Sequence, residues 1–168
     1  MSGSGTAYTG ARAGRQNRGK GDKLIIRLER FGLTTKGSIK SLADAAAITA
    51  AGLLAVFLVG YMVGFKAAGY DTAWIIYYIV LSVPVQEIIF RGILQTELYR
   101  FGKLRAVAIS SIIFAAAHFA SPLLVVLTFP AGLAWGYSFS RRGTLIGPMI
   151  SHAILGLAIF IFVTSPPF

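Results

Sequence analysis

Five long stretches of this chain, Ala45 to Phe65, Ala73 to Leu98, Val107 to Ala120, Leu123 to Phe139 and Leu145 to Thr164, are almost wholly apolar. A run of roughly 20 such residues wound as a helix covers about 30 Å of hydrocarbon. Within lipid a helix satisfies its own backbone hydrogen bonds and an open strand does not. The pattern therefore predicts an all-α, polytopic transmembrane helix bundle of about five spans. The second window is overlong and carries Pro84, which should kink it.

A soluble single domain of 168 residues does not suit a chain that is 55% apolar and 13% charged, with a mean hydropathy of +0.70. With no cysteine, disulfides, Cys-ligated zinc and a thiol nucleophile are excluded. Residues 1–22 hold few large apolar groups and many Gly, Ser and Arg, so they are expected to be disordered. The following KLIIRLERFGL mixes apolar and basic residues and suits a short interfacial helix with Leu24, Leu28 and Phe31 toward lipid. Residues 1–40 thus read as a basic tail and 41–168 as one membrane domain. No cleavable signal peptide is expected, because the first apolar window is too long for an h-region.

The net charge of +10 raises the question of nucleic acid. Its distribution answers against it. Nine Lys or Arg precede the first window, and Arg100, Lys103, Arg105, Arg141 and Arg142 follow the second and fourth, fourteen in all; Lys66 alone falls on the other side and Arg91 lies within a window. This asymmetry places the N-terminus in the cytoplasm and the final TSPPF outside, in the cytoplasmic (inner) membrane. Anionic lipid headgroups are the partner expected for the tail, not nucleic acid.

Charge inside an apolar window is costly, about 2.5 to 3.5 kcal/mol on insertion scales, and asks for a partner or a function. Glu87 and Arg91 sit four residues apart in PVQEIIFRG, acid first, the better order for an ion pair on one helical face. The only two histidines, His118 and His152, also lie in apolar windows. Counted from the basic ends, Glu87, His118 and His152 are 11, 11 and 7 residues in, or roughly 16, 16 and 10 Å. Three spans thus bring titratable groups to a similar depth, where they should share a water-accessible cavity.

One carboxylate and two imidazoles form a general acid/base set: Glu takes a proton from water, and His holds the oxyanion or passes the proton on. The same three are a known zinc ligand set, which keeps a metal-dependent hydrolase open. Asp44 and Asp71 lie at window edges and make no intramembrane aspartyl dyad, and no serine-nucleophile elbow is present. Gly132 and Gly136 read as a close helix contact, Trp74, Tyr77 and Tyr78 as an outer aromatic belt, and Glu97 with Arg100 as a surface pair.

Between Trp74 and Leu157 the chain resembles the CPBP family of CAAX prenyl proteases and bacteriocin-processing or immunity proteins, also called Abi proteins. That family has EExxxR running into FRG, then FxxxH, then a late His followed four residues on by Asn or Asp. Gln86, Glu87 and Arg91 with FRG resemble the first motif, Phe114 and His118 match the second, and His152 matches the late His; GLAWGYSFSRRGTLIGPMISHA is similar to the family's approach to it. The family's first Glu falls at Gln86, and its Asn or Asp at Gly156. The resemblance implies an intramembrane glutamate-type endopeptidase acting on a peptide or protein segment, with Glu87, His118 and His152 catalytic, Gln86, Arg91 and Phe114 supporting, and no cofactor. Its alternative is a non-catalytic scaffold or bacteriocin-immunity protein that binds a membrane partner.

Overall fold

The computed structural model describes residues 25–26, 28–64 and 71–162. The expected disorder of residues 1–22, Leu24 of the expected interfacial helix, Lys66 and the TSPPF end all lie outside the described residues. Five long helical runs follow the five apolar windows: α1 (Ser38–Val63), α2 (Thr72–Phe101), α3 (Lys103–Ala116), α4 (Pro122–Arg142) and α5 (Ile146–Phe162). Of these, α1, α2 and α4 are long and apolar enough to cross a membrane; α5 is a shorter apolar helix of 17 residues. The third window is cut short, since α3 ends at Ala116 and residues 117–120 turn toward α4.

The helix starts are written locally. Asp71 accepts a hydrogen bond from the Ala73 N–H at the head of α2, and Ser121 accepts one from Leu124 N–H at the head of α4, with Pro122 at the first helical position where its missing N–H costs nothing. At the other end of α4, Gly143 takes a left-handed φ of 70°, the conformation a glycine accepts without steric penalty, and the chain turns directly into α5.

In α2 the effect of Pro84 is a change of hydrogen-bond register. Pro84 has no N–H to give to the carbonyl four residues back. The helix widens into a π stretch at Tyr78–Ser82, closed by Val83 N–H donating to the Tyr78 carbonyl, and after an α turn at Val83–Glu87 a second π stretch runs from Ile88 to Gln95. Arg91, Gly92 and Gln95 are the buried residues of that second stretch.

The distribution of polarity is inverted relative to a water-soluble bundle. Glu87, Arg91, Gln95, Ser111 and Ser151 are fully buried, whereas Met62, Val126 and Leu54 are 82%, 67% and 60% exposed. Apolar side chains outside and polar ones inside suit a hydrocarbon surround, in which a polar group must face the bundle interior. The protein is an integral membrane helix bundle.

Helix α1 packs chiefly along α5, α3 along α4, and α2 against α3 and α5. The approach of α1 to α5 is so close that a Cβ on Gly147 would run into Ser41, whose hydroxyl accepts the Gly147 N–H at 3.2 Å. Residues 28–37 lie across the basic end of the bundle: Leu145 N–H donates to the Gly32 carbonyl (3.1 Å) and the Thr144 hydroxyl to the Thr34 carbonyl (2.7 Å). Within that segment residues 28–30 are helical, with Leu28 exposed and Phe31 half-buried. At the same end Asp44 takes a two-pronged salt bridge from Arg142, both contacts 2.8 Å. Glu97 pairs with Arg30 across the bundle end (2.8 Å) and not with Arg100, whose guanidinium lies over the Phe101 ring. A partner from another segment reaches Glu97 better than the i+3 neighbour does.

Candidate active site

Glu87 closes the short α turn after Pro84, and Arg91 lies one turn on in the π stretch. The Arg91 Nη1 donates to Glu87 Oε1 at 3.2 Å, and both side chains are cut off from solvent. The same oxygen accepts from His152 Nδ1 at 2.8 Å, which joins α2 to α5 in the bundle interior. Glu87 Oε2, Arg91 Nε and Arg91 Nη2 are buried with no hydrogen-bond partner among the described residues. The guanidinium instead rests on aromatic rings, 4.1 Å from the Phe114 centroid and 5.5 Å from that of Trp135. A desolvated cation on a ring face is worth about 2 kcal/mol.

Trp135 and Phe114 also hold His152. The indole of Trp135 stacks on the imidazole, centroids 4.5 Å apart and 19° between planes, and its N–H donates to Ser151 (2.9 Å), which accepts from Thr49 as well. Phe114 meets His152 edge-on at 5.5 Å and His118 at 5.0 Å, so one buried ring separates and orients both imidazoles. His118 lies in the turn beyond α3. Its own N–H bonds Ala115, which frees the Phe114 carbonyl to accept from His118 Nδ1 at 2.9 Å. The FxxxH spacing thus works as a side-chain cap on the end of α3.

These contacts decide the tautomers. A carbonyl and a carboxylate only accept, so Nδ1 carries a hydrogen in both imidazoles, and an uncharged ring held in this way has Nε2 as its acceptor. Both histidines line a cavity of about 590 Å³ between α1, α2, α4 and α5, walled mostly by apolar residues. Glu87 does not line it, contrary to the sequence expectation that the carboxylate would face the shared cavity. The carboxylate lies behind His152 and meets the cavity through that ring.

Other expected site residues fall nearby with different partners. Gln86 is half-buried and donates its amide to Ser82 one turn back (2.9 Å), outside the cavity wall. Among the described residues no three His, Asp or Glu side chains converge to hold a metal, because His118 is bound to its own helix while Glu87 and His152 bind each other. The aromatic belt is corrected in two of its three members: Tyr77 is exposed, but Trp74 and Tyr78 face inward and line the cavity. They sit one turn apart and stack on each other, centroids 5.1 Å.

Gln95 belongs to the same buried face. Glu87, Arg91 and Gln95 recur every fourth residue, all fully buried, and Gln95 donates to the Gly136 carbonyl (2.9 Å) and Tyr99 (3.0 Å) while accepting from Ser110 (3.3 Å). An α-helix would rotate such a stripe by about 40° per step, but the slower winding of the π stretch keeps it on one face. Gly132 and Gly136 make room for it: a Cβ on Gly132 would meet Arg91 and Phe114 at 3.3 Å, and one on Gly136 would meet Gln95 Oε1 at 2.8 Å. The GxxxG is a close helix contact, and what approaches it is the polar stripe.

Residues 67–158, more than half of the chain, match the family model described as Rce1-like: type II CAAX prenyl endopeptidase Rce1-like. No curated protein and no solved structure matches the chain.

Proposed function

The chain belongs to the Rce1-like family of type II CAAX prenyl endopeptidases, and from that premise we propose that it hydrolyses a peptide bond within the membrane, in a peptide or protein segment admitted to the cavity from the cytoplasmic side or from the bilayer. The observation that carries this is the 2.8 Å hydrogen bond between Glu87 and His152, the imidazole that lines the cavity. A water at His152 Nε2 loses its proton to the ring as it attacks the carbonyl carbon, and Glu87 stabilises the imidazolium through Nδ1. Glutamate activation of water is thus indirect, acting through histidine. His118 presents a second acceptor nitrogen to the same cavity, and Arg91 offsets the charge of Glu87 between turnovers. The proton then passes to the leaving amide nitrogen, which gives a carboxylate and an amine. No metal or other cofactor enters this scheme. The protein would lie in the cytoplasmic membrane with its N-terminus inside, its basic end against anionic lipid.

The second reading, a non-catalytic scaffold or immunity-type protein that binds a membrane partner, is favoured by one observation: Gln86, where the family keeps a Glu, is an amide bonded to its own helix. Peptide cleavage in detergent separates the two. Wild type should cleave, while His152→Ala and His118→Ala should each lose about 10² to 10⁴ in rate with the fold retained, and Glu87→Gln should lose as much rate together with the stability that neutralising the buried Arg91 supplies. Cleavage that survives Glu87→Gln sinks the assignment of Glu87, and cleavage that appears only in Gln86→Glu moves the protein to the scaffold class.

A further inference from the structure

Hydrolysis of an amide builds negative charge on the carbonyl oxygen, and something in the cavity must donate a hydrogen bond to it. Both histidines commit the Nδ1 hydrogen elsewhere, and the hydrogen that His152 takes from water at Nε2 is the one it returns to the leaving nitrogen. Thr128 donates to the Leu124 carbonyl (2.7 Å), and the Trp135 N–H to Ser151 (2.9 Å). Among the lining residues Trp74 and Tyr78 remain, and Trp74 lies a turn away, its ring stacked at 3.9 Å on Phe160. Tyr78 is the one beside His152, in edge contact at 6.3 Å. Its hydroxyl makes no hydrogen bond with any described residue. The phenol is seated by an absence on the neighbouring helix: a side chain at Gly156, one turn after His152, would collide with the Tyr78 hydroxyl. The ring is steadied by Trp74 one turn earlier, stacked on it with centroids 5.1 Å apart.

We propose that Tyr78 is the hydrogen-bond donor to the carbonyl oxygen of the scissile amide, in the space that Gly156 leaves open. The proposal rests on the hydrolytic reading above. On it, the imidazoles serve as proton acceptors and the phenol as the oxyanion donor, so the two tasks fall to different side chains on opposing helices.

The test uses two ligands, a Leu/Phe-rich peptide and the same peptide with a phosphinate in place of one amide, whose charged tetrahedral oxygens stand where the oxyanion forms. Binding to the full-length protein in detergent is followed by tryptophan fluorescence, because the only two tryptophans, Trp74 and Trp135, both line the cavity. Tyr78→Phe should weaken the phosphinate about 10- to 100-fold and hardly change affinity for the plain peptide, and where cleavage is measured it should lower kcat with KM unmoved. Gly156→Ala should weaken the phosphinate when Tyr78 is present and add little to Tyr78→Phe. Equal phosphinate affinity in wild type and Tyr78→Phe overturns the assignment, as does a wild type that binds neither ligand. If wild type discriminates the phosphinate through Tyr78 but cleaves nothing, the donor role stands and the hydrolytic reading alone fails.

Discussion

Among the described residues the Arg91 guanidinium has one hydrogen bond, to Glu87, and two nitrogens without partners, yet it is fully buried. Its neutralising charge and the Phe114 face are what hold it there. Removing one partner of a buried ion pair leaves the other uncompensated, which costs about 3 to 5 kcal/mol. Arg91→Ala should therefore lower the thermal midpoint in detergent and the yield of folded protein. Glu87→Gln combined with Arg91→Met should restore much of the stability, because an uncharged pair carries no such desolvation cost. A midpoint for Arg91→Ala equal to that of wild type would contradict the pairing. Glu87 with Arg91 was legible from i, i+4 spacing alone. The Glu87 to His152 bond was not, since 65 residues separate them and only helix packing brings them together.

Among the elements, α2 departs furthest from what its sequence suggests. Proline in a helical window announces an irregularity, and the structure resolves it as two π stretches in place of a regular α-helix. The slower winding of the second stretch aligns Glu87, Arg91 and Gln95, whereas Tyr78 shares its inward face with Trp74 one regular turn earlier. The packing of α5 against α1 depends on a different device, the missing side chain of Gly147 over Ser41. Gly147→Ala should cost about 1 to 3 kcal/mol through overpacking, and Ser41→Ala should relieve only part of it, because the Ser41 carbonyl as well as its hydroxyl stands in the way. Thermal unfolding of the two single variants and the double variant measures this; full rescue by Ser41→Ala would show that the backbone contact is not limiting.

Over the whole molecule, the N-terminal segment, the turn after α2 and the turn after α4 meet at one end, where Arg30 pairs with Glu97 and Asp44 with Arg142. Among the described residues, the positive charges that the sequence groups by loop are therefore also grouped in space. A chain without cysteine allows orientation to be read by single-site labelling. With the N-terminus inside, Thr72→Cys at the head of α2 should react with an impermeant maleimide on intact cells, and Thr35→Cys only after the inner face is opened. The reverse pattern would invert the orientation and with it the side from which substrate enters.

Hydropathy and charge by themselves determined the helical class and the membrane setting, because lipid admits few solutions for the backbone and each window states its own length. They also marked Glu87, Arg91, His118 and His152, since a polar group in hydrocarbon is conspicuous wherever it falls. Only the tertiary structure decided that Glu87 lies behind His152, that Trp74 and Tyr78 belong to the cavity and not to the outer belt, and that Glu97 answers to Arg30. Those are relations between helices. An aromatic residue near a span end is equally suited to lipid headgroups and to a cavity wall, and the rotation of its helix, set by packing against α5, chooses between them.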